Sequence, residues 1–431
     1  MRQMMAVAAG SAPRYTPPRS HAQTVADKKG RNPVTGGSTV HHRPVFHGNA
    51  TLGCLLLIWL MAAVGCPERE PFTPPDPFYL YATYPVGKNP TSVTSADFNQ
   101  DGLTDLIVTN IGNDSLSILF GNGDGSFKEQ QQLRVSVGPR ALALDDYNGD
   151  GRTDIAVACA GSDQIVLFFG LAGGRFSEGQ RYPVQRTPVS IAAGDMNGDR
   201  TPDLAVALRN DKIVVLLGNG DGTFATGPRY EYGDTPTSIA LADLTQDGKL
   251  DLLVTNGGPM SNAVTVWTGN GDGSFRDPVD YRTGKRPLGV SFADFNNDRK
   301  TDLLVINGER DSFAVFLGNG NGTFQNGKES GADAGPVHGI AGDFDGDRMA
   351  DVAIVNIQSS NLSLLFGRGD GTFKYPPKHY RVSSGPFAVT SLSLKSNATE
   401  PPGLAVVSNG AGSVSIFLHQ GTHAIAPRPA S

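Results

Sequence analysis

A nine-residue pattern, DFNQDGLTD at 97 to 105, returns five more times at nearly constant spacing, and that recurrence commits the chain to a repeat architecture. The copies are DYNGDGRTD at 146, DMNGDRTPD at 195, DLTQDGKLD at 243, DFNNDRKTD at 294 and DFDGDRMAD at 343, so successive starts are 49, 49, 48, 51 and 49 residues apart. In each copy, oxygen-bearing side chains fall at positions 1, 3, 5 and 9. Hard donors at that alternation can curl around a hard cation such as calcium.

The sequence between the loops follows one script. A turn ending in proline leads to an inner strand such as PTSVTSA (90 to 96), which runs into the loop. A second strand follows at once (DLIVTN at 105, DLLVIN at 302), then a polar turn and a third strand (LSILFG at 116, FAVFLG at 313). Runs so rich in β-branched and aromatic residues suit strands buried between packed sheets. A glycine hairpin comes next, GNGDGSF at 121 and GNGDGTF at 218 among them, with a weaker GLAGGRF at 170. No helix follows it and no Lys-Ser/Thr closes it, so it reads as a turn and not as a phosphate loop. A more polar fourth strand then runs from the hairpin phenylalanine toward the next proline. Four strands in about fifty residues make a propeller blade.

Seven blades are expected over residues 78–420, an all-β seven-bladed β-propeller. The seventh starts near Pro386, takes VSIFLH (414 to 419) as its third strand, and then lacks a fourth. FYLYATYPVG, 78 to 87, resembles the earlier outer strands that end YPVQ (182), YEYG (230) and YRTG (281). It is expected to complete blade seven and close the ring, removing open sheet edges.

The candidate ligands follow the loop positions. Loop one offers Asp97, Asn99, Asp101 and Asp105; loop two Asp146, Asn148, Asp150 and Asp154; loop three Asp195, Asn197, Asp199 and Asp203. Loop four offers Asp243, Thr245, Asp247 and Asp251; loop five Asp294, Asn296, Asp298 and Asp302; loop six Asp343, Asp345, Asp347 and Asp351. Position 7 varies freely through Leu103, Arg152, Thr201, Lys249, Lys300 and Met349, which suits a backbone carbonyl ligand. Position 6 is Gly102, Gly151 and Gly248 in three loops but Arg200, Arg299 and Arg348 in the others. If the turn there is left-handed, each arginine costs about 1–2 kcal/mol, and loops three, five and six should bind more weakly. Thr245 should weaken loop four. Blade seven has Ser393, Lys395 and Asn397 at positions 1, 3 and 5 and no closing aspartate, so no metal is expected there.

Charge and cysteine content narrow the partners. The net charge is −6, yet nineteen of the 42 acidic residues are loop aspartates, leaving 23 acids against 36 Lys plus Arg. The basic residues form no aromatic-flanked stripe, which argues against nucleic acid. Cys159 lies in the apolar run IAVAC and reads as a buried inert thiol. His338 stands where other inner strands carry Ser92, Ala141, Ser190, Ser238, Gly289 and Ala388; it is expected to face the central channel as a structural residue. Glu309 and Arg310 read as a solvated turn.

The combined DFNGDG, DLAV and GNGDGTF pattern resembles the FG-GAP and VCBS repeat families, over residues 78 to about 420. That resemblance implies a calcium-binding propeller of the kind found in integrin α-chains and in many secreted bacterial proteins, with the residues named above as ligands of up to six calcium ions. It fixes function less firmly, because one fold serves many activities. The leading expectation is an adhesion or scaffold module, a monomer that binds a protein or glycan ligand. The alternatives are a propeller enzyme, a hydrolase or lyase with its site on one face or in the channel, and a lectin-like sugar binder. No nucleophile, base and orienting acid stand in an assembled order, so an enzyme is not expected.

The first 51 residues are polar, with seven Lys or Arg against one acid, Asp27, and are expected to be a disordered or mis-assigned leader. LGCLLLIWLMAAVG, 52 to 65, is an apolar run too short for a comfortable membrane span and suits a signal peptide. It ends AVGC, which resembles a bacterial lipobox with Cys66 as the lipidated residue, although Ala63 stands where leucine is preferred. An ordinary cleaved signal is the alternative. Residues 67–77, with five prolines, make an extended spacer, and 421–431 a disordered tail. The product is expected outside the cytoplasm of a bacterium, lipid-anchored or secreted. So long a stretch before the apolar run suggests that translation starts downstream, near Val40 or Val45. Intact-mass measurement of the precursor should find neither Met1 nor Arg2; finding either refutes the later start.

Overall fold

The computed structural model describes residues 76–420, apart from 211, 232–233, 259–261 and 395–400. The expected leader, the signal-like segment with Cys66, most of the proline-rich spacer and the C-terminal tail lie outside the described residues, as do Lys395 and Asn397 of the seventh loop. Among the described residues every regular element is a strand, and the strands form seven four-stranded antiparallel sheets. They are the seven blades of a β-propeller.

The second strand of each blade explains the packing. Asp105–Asn110, Asp154–Cys159, Asp203–Leu208, Asp251–Asn256, Asp302–Asn307, Asp351–Asn356 and Gly403–Ser408 are buried at every residue. A strand with one face in water would alternate; these are covered by a neighbouring blade on both faces, which is why their sequences are continuous apolar runs. The fourth strands do reach solvent. Gln131–Arg134 and Val279–Arg282 are mostly exposed.

Among the described residues the apolar core is divided between the blades. The buried apolar residues fall into seven clusters, each drawn from two adjacent blades. One joins Val93, Leu106 and Leu119 of blade one to Leu392, Ala405 and Ile416 of blade seven, so the ring closes through the same kind of contact that holds it elsewhere. Cys159 is fully buried in the cluster between blades one and two, and burial pushes its thiol up to about 12. It is an inert packing residue.

Every inner strand begins at a proline and skips one register position immediately after it, from Pro90/Ser92 through Pro386/Ala388. Proline has no N–H to donate, so a strand start with a bulge is where a sheet tolerates it. In blades one, four, five and six the phenylalanine of the hairpin pairs only as an isolated bridge, and regular pairing resumes at Gln131, Val279, Lys328 and Lys378.

Ring closure matches the sequence reading. Phe78–Pro85 pairs antiparallel with Ser413–His419 and stands at the outer edge of blade seven. Its Tyr84 hydroxyl accepts the Phe127 N–H of blade one at 3.0 Å. Tyr182, Tyr230 and Tyr281, on the outer strands of blades two, three and four, accept from Phe224, Phe275 and Phe324 in the same way, at 2.9, 2.8 and 3.3 Å. The N-terminal strand therefore carries an outer-strand tyrosine in its repeat position. Deleting residues 78–87 should yield aggregated protein on size exclusion, whereas an unchanged melting temperature refutes the closure. Tyr84→Phe should cost about 1 kcal/mol in denaturant unfolding.

Candidate metal sites

All six loops are wound by a common pair of hydrogen bonds, while the second N–H on the position-1 carboxylate comes from position 5 in loops one, two, four and five and from position 4 in loops three and six. In loop one the Asp97 carboxylate accepts the N–H groups of Asp101 and Gly102, at 3.1 and 2.8 Å, and Asp101 Oδ1 accepts the Leu103 N–H at 2.9 Å. The position-6 to position-1 and position-7 to position-5 bonds recur in every loop. Position 9 is the anchor. Asp105 Oδ2 accepts from Phe98 N–H at 3.0 Å, and Oδ1 from Gly121 N–H, at the start of the hairpin, at 2.8 Å. Asp154, Asp203, Asp251, Asp302 and Asp351 do the same, and all six are fully buried.

The turn conformation supports the expectation for position 6. Gly102, Gly151 and Gly248 have φ of 80°, 78° and 81°, and Arg200, Arg299 and Arg348 follow at 69°, 64° and 66°. Three arginines therefore hold a left-handed backbone that glycine adopts without strain. Position 4 is left-handed too, at Gln100, Gly149, Gly198, Gln246, Asn297 and Gly346. In the sequence the signal for it is glycine or asparagine at position 4 in four of the six loops.

The donor set fits a hard cation. Each loop offers carboxylate, amide or hydroxyl oxygens only, and in loop six oxygens of Asp343, Asp345 and Asp351 lie within 4.8 Å of one another. Loop four is the irregular one: Thr245 accepts no bond from Asp247 N–H, where Asn99, Asn148, Asn197 and Asn296 each accept one from their position-5 residue. The residues that would hold calcium are those at positions 1, 3, 5 and 9, with the position-7 carbonyl. Bound calcium would neutralise carboxylates that otherwise repel one another.

The glycine hairpins hold neighbouring blades together. Gly222, Gly273, Gly322 and Gly371 donate N–H bonds to the position-2 carbonyls of the preceding blade's loop, Tyr147, Met196, Leu244 and Phe295, at 2.9 to 3.0 Å. Sequence reading recognised the turn but not this clasp.

Among the described residues, the histidines that the sequence or the contacts single out are not arranged as a catalytic relay. His338 Nδ1 accepts the Val389 N–H at 3.4 Å, just as Ser190 Oγ, at the same strand position three blades earlier, accepts from Ile239 N–H at 3.2 Å. Burial lowers its pKa to about 4, so it is a neutral bridging residue. Ser363 Oγ lies 2.9 Å from His379 Nδ1, but Asp333 Oδ2 faces that same nitrogen at 3.7 Å, and Ser363 is fully buried. A relay needs the acid on the other ring nitrogen and a reachable hydroxyl. Glu309 and Arg310 are exposed in a turn.

A model of the FG-GAP-like repeat matches five times, over residues 97–157, 146–206, 195–254, 243–305 and 294–354. The chain belongs to the FG-GAP-like repeat family. Each match starts at position 1 of a loop and runs into the second strand of the next blade, so the family's unit joins two blades. No curated protein sequence matches this FG-GAP-like chain. Among solved structures it is similar to BBS1N in complex with ARL6DN, at 14% identity over 82% of this chain and 98% of that one, with a TM-score of 0.55. It is also similar to a catalytically inactive virginiamycin B lyase from Staphylococcus aureus with quinupristin, at 13% identity over 79% and 99% of the two chains and a TM-score of 0.54. At such identities the likeness is one of fold.

The position-9 aspartates set the pH behaviour of the chelated FG-GAP-like repeats. Burial raises Asp105 and Asp154 to about 6 and Asp351 to about 7. A carboxyl whose folded pKa is raised contributes stability that is present below its unfolded value near 4 and lost as pH climbs through the folded value. Without metal the melting temperature should therefore fall between about pH 4 and pH 7. A flat or rising profile in chelator refutes this.

Proposed function

We propose that the protein is a calcium-stabilised interaction module working outside the cytoplasm, with a protein or glycan as its ligand. What carries the reading is the shared hydrogen-bond scaffold of the six loops, in which all-oxygen donor sets are wound at the same step of each of the first six blades. Such loops fasten each inner strand to its neighbour, so calcium supports the scaffold. The export-like segment 52–66 supports a calcium-rich compartment, with Cys66 as an anchor point.

Recognition then belongs to the other end of the blades. The loop end repeats its residues from blade to blade, whereas the turns that follow the second strands differ, for example NGERDS at 307 and NIQSSN at 356. Six-fold repetition suits a structural role, and a unique ligand needs a surface that does not repeat. The repeats also leave no insertion large enough for a separate active site.

Calcium should raise the melting temperature of the full chain by at least several degrees over chelator, because an ion that binds only the folded state stabilises by about 2.7 kcal/mol per site at a hundred times its dissociation constant. A shift of less than a few degrees removes calcium from the scaffold. Turnover of a substrate by the calcium-loaded protein refutes the module reading.

A further inference from the structure

We propose that four of the six loops carry their own tethered cation, which competes with calcium, so that loops one and three are the tight sites and the other four are weaker. The inference rests on the calcium reading above. In loop two Arg152 Nη1 lies 3.0 Å from Asp150 Oδ2. In loops four and five Lys249 and Lys300 reach the equivalent oxygens of Asp247 and Asp298, at 3.9 and 3.2 Å. In loop six position 7 is Met349, and the charge arrives from another element. Lys374, just past the hairpin, places Nζ 3.1 Å from Asp347 Oδ2 and 4.0 Å from Asp345 Oδ2. Two unrelated positions in the chain thus deliver a cation to the same carboxylate of the repeat, and the hairpin route serves the one loop that has a fourth acid.

Loops one and three differ. Among the described residues no cation pairs with Asp101 or Asp199. There Oδ2 accepts the side-chain amide of Asn99 or Asn197, at 2.9 and 2.8 Å. In loop two, where Arg152 has taken the oxygen, the corresponding Asn148 bond stretches to 3.4 Å. Leu103 and Thr201, at position 7, have no charge to offer.

Position 5 is a member of the calcium donor set, so a divalent ion must share or displace the tethered charge. As surface ion pairs these contacts contribute little to stability, since the cationic side chains are 37–48% exposed. Against a doubly charged competitor a few ångströms away the repulsion is larger, and a weakening of roughly tenfold per site is expected even with near-aqueous screening. Backbone strain alone ranks the loops differently. It favours loop two, with Gly151 at position 6, over loop three, with Arg200; the tethered cation reverses that order.

Calorimetric titration of the chelator-stripped full chain with calcium tests the assignment. Two tight sites and four weaker ones are expected. Arg152→Met, Lys300→Met and Lys374→Met should each move one site into the tight class with a gain of roughly tenfold, and together raise the tight count to five. Asp195→Ala should delete a tight site and Asp146→Ala a weak one. Six equal sites, methionine variants with unchanged affinities in a protein of unchanged circular dichroism, or loss of a tight site in Asp146→Ala each overturn the proposal. Absence of any calcium heat in the wild type instead removes the calcium reading, and this inference with it.

Discussion

The buried position-9 carboxylate is the contact on which each of the first six blades turns. Asp105 holds the position-2 N–H of its own loop with one oxygen and the first N–H of the hairpin with the other, while its backbone starts the second strand. One side chain thereby fixes where the loop begins, where the second strand begins and where the third strand ends. A buried carboxylate is costly unless its oxygens are satisfied, and here backbone donors satisfy both. Hydrogen bonds to a charged acceptor contribute roughly 1.5–3 kcal/mol each. The remaining loop oxygens are wound by N–H groups of the same loop, and in loop six those of Asp343 and Asp345 come within 4.8 Å of each other and of the anchor Asp351.

That anchoring matters because the blades share their cores. Each cluster of buried apolar residues needs two sheets, so no blade is stable alone and the seventh interface is as necessary as the first. The clasp from Gly222 to the Tyr147 carbonyl, and its counterparts in later blades, tie the loop of one blade to the hairpin of the next. Loops and core therefore report the same neighbour relation, one through polar contacts and the other through packing.

Much of this was legible in the sequence because the repeat prints it six times. The continuous apolar second strands, the starting prolines and the YP signature of residues 84 and 85 led directly to blades, strand starts and closure. What escaped notice depends on side chains meeting across the repeat. Arg152, Lys249 and Lys300 looked interchangeable with Leu103 and Met349 because position 7 was read for its carbonyl alone; the structure folds three of these side chains back onto position 5. Lys374 is 27 residues beyond Asp347, and no local pattern connects them. The left-handed backbone at Gln100 and Gln246 is likewise hidden in residue types that give no hint of it.

Blade seven shows what the anchor achieves elsewhere, because it has to do without it. Its second strand starts at Gly403 and not at an aspartate, and its sheet is assembled from both ends of the described chain through seven residue pairs between Phe78–Pro85 and Ser413–His419. The end of its inner strand is held by the neighbour: Ser95 of blade one donates its hydroxyl to the Ser391 carbonyl at 2.9 Å, and Thr104, beside the first anchor aspartate, donates to the Ser393 carbonyl. Blade one's loop region thus supplies from outside the constraint that a position-9 carboxylate supplies from within. In sequence, a blade without that residue also carries Lys395 where the other loops carry an oxygen donor, which ties its departure from the loop pattern to the place where the ring is closed.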